Sequence, residues 1–336
     1  MRRGYRTATA AEDATGTALP PSGGEGGLVV VHAHPDDETL STGALVATWA
    51  AAGRPVTVVT CTRGERGEVI ALPGTTSEGL AALEGDGPAL AARRERELAR
   101  ATAALGADQV FLDQVMPAAA DGAVRDAPGA PGARRYEDSG MEWVRPGVAG
   151  PSADSPPTAF ARVALDGPAL RLAGLVERLR PAVVATYEPG GGYGHPDHVR
   201  AHEVTVRALA LLAAGGAPAV PELWQAVAPA DEVRAARRAL RASREARAAA
   251  AGHGLTLPDP GEPLPPFAKE NLPGTTERVD VAPVLDRVLT AMRAHATQIQ
   301  YVTRARGAGI LGFYALSNGV LAPVPERETY LVAPRA

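Results

Sequence analysis

A chain of 336 residues, 45% of them hydrophobic, is long enough to bury a sizeable core, as one large α/β domain or two small ones. Its formal net charge of -4 excludes the basic face that a nucleic-acid partner requires and leaves small molecules as the expected partners. The single cysteine, Cys61, excludes an intramolecular disulfide framework and reads as a small buried hydrophobe in a reducing cytoplasm. No apolar stretch approaches the roughly 20 residues that span a bilayer, and the N-terminus lacks a signal-peptide core, so a cytoplasmic protein without membrane contact is expected.

Residues 1–26, rich in Ala, Thr, Gly and charge, show no periodicity and predict a disordered extension ahead of a single domain over 27–334. The run Leu28 to Val31 then reads as a buried strand of a parallel sheet. It ends in His32-Ala33-His34-Pro35-Asp36-Asp37-Glu38. Thr39 to Ala52 reads as a helix stopped by Gly53, and Val56 to Cys61 as a second strand that completes a right-handed βαβ unit. The first turn lacks G-x-G-x-x-G, which argues against a dinucleotide cofactor.

Residues 62–90 are glycine-rich and predict a long loop at the same sheet edge. A helix over Ala91 to Leu105, stopped by Gly106, leads to a short strand over Gln109 to Leu112. The stretch 114–157 predicts an irregular excursion over the active-site face, and a helix over Leu170 to Leu179 follows it. Pro181 to Tyr187 is the next buried strand and runs into Glu188-Pro189-Gly190-Gly191-Gly192-Tyr193-Gly194-His195-Pro196-Asp197-His198. Pro196 suits the first turn of a helix over about His195 to Ala213. Beyond it we expect a strand over Val220 to Val227, one solvated helix over Ala230 to Ala251, a Pro-rich connection over 257–275, a helix over Ala282 to Gln298 and a last strand over Thr329 to Val332. The alternation predicts an α/β fold: a Rossmann-like, mostly parallel sheet with helices on both faces and an elaborated C-terminal part.

Two His/Asp clusters, each at the carboxyl end of an apolar strand and each preceding a helix, point to a metal site, because buried ionisable groups need a cation or paired charges. Asp36 and Asp37 are adjacent, so in locally extended chain their side chains diverge, one toward a metal and the other toward a bound water. His195 and His198, three apart at a helix start, lie on neighbouring faces. His32 suits a hydrogen-bonding role behind a ligand, and His202, His253 and His295 read as solvent-facing or satisfied core residues.

Ala33-His34-Pro35-Asp36-Asp37-Glu38 paired with His195-Pro196-Asp197-His198 resembles the signature of the LmbE-like (PIG-L) N-acetylglucosaminyl deacetylases, zinc-dependent amide hydrolases on a Rossmann-like sheet. Asp138-Ser139-Gly140-Met141, Ala294-His295-Ala296-Thr297-Gln298 and Ala315-Leu316-Ser317-Asn318 extend the resemblance to the family's mycothiol-pathway branch, which deacetylates N-acetylglucosaminyl-inositol. The resemblance implies that His34, Asp37 and His198 bind Zn2+, with Fe2+ as the alternative metal, and that Asp36 is the general base. It implies further that Tyr193 and His195 face the oxyanion, that a protonated His195 oriented by Asp197 serves the leaving amine, and that Arg94 and Asp138 hold sugar or inositol hydroxyls. The rival readings are a mycothiol S-conjugate amidase, whose glycine turn tends to read Gly-Tyr-Pro-His where this chain has Gly194, and a deacetylase of another N-acetyl sugar or a glycosylated natural product. Gly190 departs from the family pattern and removes a side chain that would order its loop.

Overall fold

In the computed structural model, which describes residues 26–117, 135–145, 147–307 and 309–333, the first strand, β1 (Leu28–His32), is buried along its whole length. Its residues alternate between two cores: Leu28 and Val30 face one, Val29 and Val31 the other. Fully burying each of these aliphatic side chains stabilises the fold by about 1.5–3 kcal/mol. That gain is what allows the strand to end in costly ionisable groups.

Helix α1 (Asp37–Ala51) starts within the motif, β2 (Val56–Thr60) pairs parallel with β1, and α2 (Gly87–Leu105) leads to β3 (Asp108–Phe111). The loop between β2 and α2 has no regular element beyond a single helical turn at Ala81–Leu83. Asp86 caps α2 by accepting Ala89 N-H at 3.1 Å, and Gly106, in the left-handed region at φ 87°, ends it as its glycine predicts. A hairpin of β4 (Met141–Arg145) and β5 (Val148–Pro151) interrupts the predicted excursion. Then come α3 (Asp166–Leu179), β6 (Val183–Tyr187), the single turn α4 (Gly191–Gly194) and α5 (Pro196–Ala214).

The C-terminal part comprises β7 (Glu222–Pro229), α6 (Ala230–Ala242), α7 (Arg244–His253), β8 (Ala268–Lys269), β9 (Thr276–Asp280), α8 (Leu285–Ala294), β10 (Gln300–Gly307), β11 (Ile310–Ala315), β12 (Leu321–Val324) and β13 (Arg327–Val332). Three features correct the sequence reading. The predicted Ala230 to Ala251 helix is two helices, because Ser243 is extended and its Oγ caps α7 by accepting Ala246 N-H at 3.2 Å. The helix predicted to reach Gln298 stops at Ala294. β10, β11 and β12, which the sequence did not announce, form an antiparallel sheet of their own.

The main sheet runs β3-β2-β1-β6-β7-β13-β9, with the first five strands parallel and β13 antiparallel to both β7 and β9. Helices α1, α2 and α8 cover one face and α3 and α5 the other, while α6 and α7 pack on the small antiparallel sheet. The strand order reverses between β1 and β6, the crevice where open α/β sheets bind ligands. Both motifs emerge there. The predicted N-terminal extension lies outside the described residues apart from Gly26, as does much of the 114–157 excursion. Among the described residues no helix is long and apolar enough to cross a membrane.

Candidate active site

Asp36 sits between β1 and α1 with φ 118° and ψ -31°, a left-handed backbone that a non-glycine residue adopts at a cost of roughly 1–3 kcal/mol. The predicted divergence of Asp36 and Asp37 therefore comes from this turn and not from extended chain. Asp37 opens the helix and folds back, its Oδ2 accepting His34 N-H at 2.9 Å. The second motif is shaped by α4, where Gly191 and Gly192 are both at positive φ, and by His195, whose Nδ1 accepts Asp197 N-H at 3.1 Å as the cap of α5.

Three donor atoms meet where the motifs face each other. His34 Nδ1 lies 3.3 Å from Asp37 Oδ2, His198 Nε2 lies 3.3 Å from the same oxygen, and the two nitrogens are 3.3 Å apart. The far nitrogen of each ring settles its tautomer. His34 Nε2 faces Asp197 Oδ2 at 3.3 Å and Asp138 Oδ1 at 3.6 Å, and His198 Nδ1 faces Gly191 O at 3.1 Å. Carbonyl and carboxylate oxygens only accept, so those far nitrogens carry the protons and the near ones turn lone pairs toward Asp37. The gap among these three atoms calls for a cation: a proton on His34 Nδ1 in metal-free protein, or a metal ion in its place. Tetrahedral zinc with bonds of about 2.0–2.1 Å holds its donors about 3.3–3.4 Å apart, which the observed triangle matches.

Without a metal ion, a proton on the His34 ring answers the same cluster of carboxylates. Burial works against charge on His34, yet Asp138, Asp197 and Asp37 override it and hold the ring well above its usual pKa. Burial would likewise raise Asp37, but His198 and His34 hold it well below the carboxylate range. His34 also belongs to two further groups able to hold a metal, one with His195 and His198 and one with Asp138 and Asp197. The Asp37 triangle is the arrangement that uses the lone pairs left by both tautomers.

Beside the triangle, burial lifts the Asp36 carboxyl to about 6 against the pull of Arg94, with repulsion from Asp37 adding to the lift. Arg94, 3% exposed, donates from Nη1 to Gly64 O at 2.7 Å and from Nη2 to Pro35 O at 2.6 Å and Asp36 Oδ1 at 3.3 Å. It grips the Asp36 turn, where the sequence reading expected a grip on sugar hydroxyls. Asp138 is near the triangle, its Oδ1 accepting Gly140 N-H at 2.9 Å and its Oδ2 accepting Arg66 N-H at 3.2 Å.

Asp197 does not orient the His195 ring. Its carboxylate serves His34 and accepts from Ser139, whose N-H lies at 2.8 Å, and only its backbone N-H meets His195. His195 Nδ1 accepts that N-H, so its proton sits on Nε2. Burial first, then His34 and His198, hold the ring well below its usual pKa, which favours a neutral donor over the expected imidazolium. The Tyr193 ring lies 5.0 Å from that of His198, and burial together with Asp37, Asp36 and Asp138 keeps its hydroxyl protonated.

Sequence reasoning missed several supports. Tyr187, the last residue of β6, stacks on His198 at 4.2 Å and 14° and accepts Ala33 N-H at 2.9 Å. Lys269, the sole lysine, reaches Glu188 Oε2 at 2.9 Å, and Glu188 accepts Gly190 N-H at 2.9 Å and Gly192 N-H at 3.2 Å. This carboxylate orders the loop that Gly190 was expected to loosen. His295, read as solvent-facing or a satisfied core residue, is the latter, fully buried with Nε2 2.7 Å from Glu38 Oε1, although its partner was not foreseen. Of the rest, His32 meets Thr42 Oγ1 at 2.8 Å, His202 meets Tyr187 O at 2.9 Å, His253 is exposed, and Cys61 is buried, its thiol pushed up by that burial.

The sequence model of the GlcNAc-PI de-N-acetylase family, PIG-L, matches residues 29–209. A Saccharopolyspora erythraea protein named 1D-myo-inositol 2-acetamido-2-deoxy-alpha-D-glucopyranoside deacetylase 1 is 42% identical over 91% of this chain and 89% of its own. Proteins with the same name apart from the numeral are 43% identical in Kineococcus radiotolerans, over 90% of this chain and 76% of theirs, and 37% identical in Rhodococcus erythropolis, over 91% and 90%. With both halves of the signature at the crevice and this identity along nine-tenths of its length, the chain belongs to the PIG-L family of de-N-acetylases.

Proposed function

We propose that this chain is a zinc-dependent hydrolase that removes acetate from 1D-myo-inositol 2-acetamido-2-deoxy-alpha-D-glucopyranoside, leaving the free amine for mycothiol biosynthesis. The observation that carries the reading is the convergence of three lone pairs, from His34, Asp37 and His198, next to a carboxylate, Asp36, with a raised pKa. These three residues would hold Zn2+, or Fe2+ in its place. The bound ion supplies Lewis acidity, lowering the pKa of water from about 15.7 to about 7 and polarising the acetamide carbonyl.

The chain's own groups divide the remaining chemistry. Asp36, its carboxylate ionised above about pH 6, accepts the proton of the attacking water and then returns it to the leaving nitrogen, which must depart as an amine. The Tyr193 hydroxyl and the neutral His195 Nε2-H donate to the oxygen that gains charge in the tetrahedral state. Asp197 keeps His34 in the tautomer that frees Nδ1. Asp138 keeps a lone pair on Oδ2 for a sugar hydroxyl, and Arg94 steadies Asp36. A cytoplasmic location without nucleic-acid or membrane partners fits a small sugar substrate and a single buried thiol.

Acetate release from the N-acetylglucosaminyl-inositol, measured beside amide cleavage of a mycothiol S-conjugate, tests the reading. Faster turnover of the acetamido sugar is the expected result, and faster turnover of the conjugate overturns it.

A further inference from the structure

The base Asp36 holds a left-handed backbone on a non-glycine residue, so something must impose it. Its N-H donates to Glu38 Oε2 at 2.9 Å. The other oxygen of Glu38 meets His295 Nε2 at 2.7 Å and accepts the Thr39 hydroxyl, and both Glu38 and His295 are 0% exposed. Two residues beyond His295, Thr297 donates its hydroxyl to Glu97 of α2 at 2.6 Å. The same helix carries Arg94, which reaches Pro35 O and Asp36 Oδ1. One short segment after α8 thus braces the Asp36 turn from both sides, through Glu38 of α1 and through α2. It lies beyond residue 209, where the family match ends.

We propose that His295, acting through Glu38, is a positioning residue that holds Asp36 in its productive turn, so that the C-terminal part of the chain completes a site whose reacting groups all come from the N-terminal part. A carboxylate anchored on one side by a buried imidazole presents a fixed acceptor to the Asp36 N-H. Without that anchor Glu38 can rotate to another partner, and Asp36 can relax out of the left-handed region. The proposal rests on the reading of Asp36 as the base, and one of its measurements needs no catalysis.

The test compares full-length wild type with His295→Leu and His295→Gln, whose amide can still donate to Glu38. In metal-free protein, amide exchange of a peptide spanning residues 34–39 should quicken by about tenfold in the leucine variant, while a peptide spanning 196–204 is unchanged. In metal-loaded enzyme its kcat should fall by about ten- to a hundredfold, with KM within a factor of about two and bound metal equal to wild type. The glutamine variant should recover most of both losses. Unchanged exchange, unchanged kcat, loss of metal, or a glutamine variant as impaired as leucine overturns the proposal. If leucine prevents folding, His295→Asn, too short to reach Glu38, replaces it. A wild type that releases no acetate sinks the assigned reaction, while the exchange measurement still decides the role of His295.

Discussion

Residues 28–214 and residues 276–333 contribute to one crevice in opposite ways. The first region carries every group assigned to the reaction, from His34 to His198, with both His/Asp motifs at the ends of its parallel strands. The second is largely antiparallel, adds the covering helix α8, and braces the site through His295 on Glu38 and Thr297 on Glu97 of α2. The difference teaches that reacting groups can come from short local motifs while the shape that makes them useful is fixed from far along the chain. Changes in the first region should alter chemistry with little loss of fold, and changes in the second should alter geometry or stability.

The largest effect belongs to the lone-pair triangle. His198→Ala, or chelation of wild type, should remove bound metal and lower turnover on the order of a thousandfold or more, with metal content read by mass spectrometry. Asp36→Asn comes next, keeping its metal while kcat falls by about 10²- to 10⁴-fold. An Asp36→Asn protein that had lost its metal would erase the distinction between the two aspartates. Asp197→Asn should weaken metal affinity by about 10- to 100-fold by loosening the His34 tautomer, a result that a partner of His195 alone would not give.

A smaller change sharpens the role of Arg94. If Asp36 is the base, kcat/KM should fall as pH drops through an acidic limb; burial sets the Asp36 carboxyl at about 6 in metal-free protein, and a bound dication would lower it. Arg94 lowers that pKa, so Arg94→Met should move the limb upward with KM unchanged. A raised KM with an unmoved limb would return Arg94 to the sugar. The smallest catalytic effect is expected in the second region at Leu289, 2% exposed on α8. Leu289→Ala should cost about 2–5 kcal/mol in denaturant unfolding while kcat per folded molecule holds.

The same division explains what could be read from sequence. β1, β2 and β6 announce themselves because continuous apolar runs have one interpretation between turn signals, and α2 because Gly106 stops it. The β4–β5 hairpin and β10 to β12 did not, since they are short, interrupted by residues such as Gly307, Gly309 and Gly312, and defined by pairing that no local pattern encodes. At the site, the motif residues stood out because their neighbours in sequence are their neighbours in space. The pairings of Lys269 and His295 did not, their partners lying 81 and 257 residues away. The charge state of His195 was unreadable for a related reason: burial, which no spacing reports, decides it.

Gly194 joins the catalytic turn to the hairpin. At φ 94°, with space for a Cβ only 2.7 Å from Ala149 O, it lets β5 press against the backbone just before His195. Trp143 on that hairpin, half exposed, lies with its ring 5.8 Å from that of Tyr193. For anyone redesigning this enzyme toward a bulkier sugar or another acyl group, residue 194 and residues 141–151 form one exchangeable cassette. Swapping either alone would dislodge the other, whereas grafting both together from a relative would carry a new pocket wall onto an untouched catalytic centre.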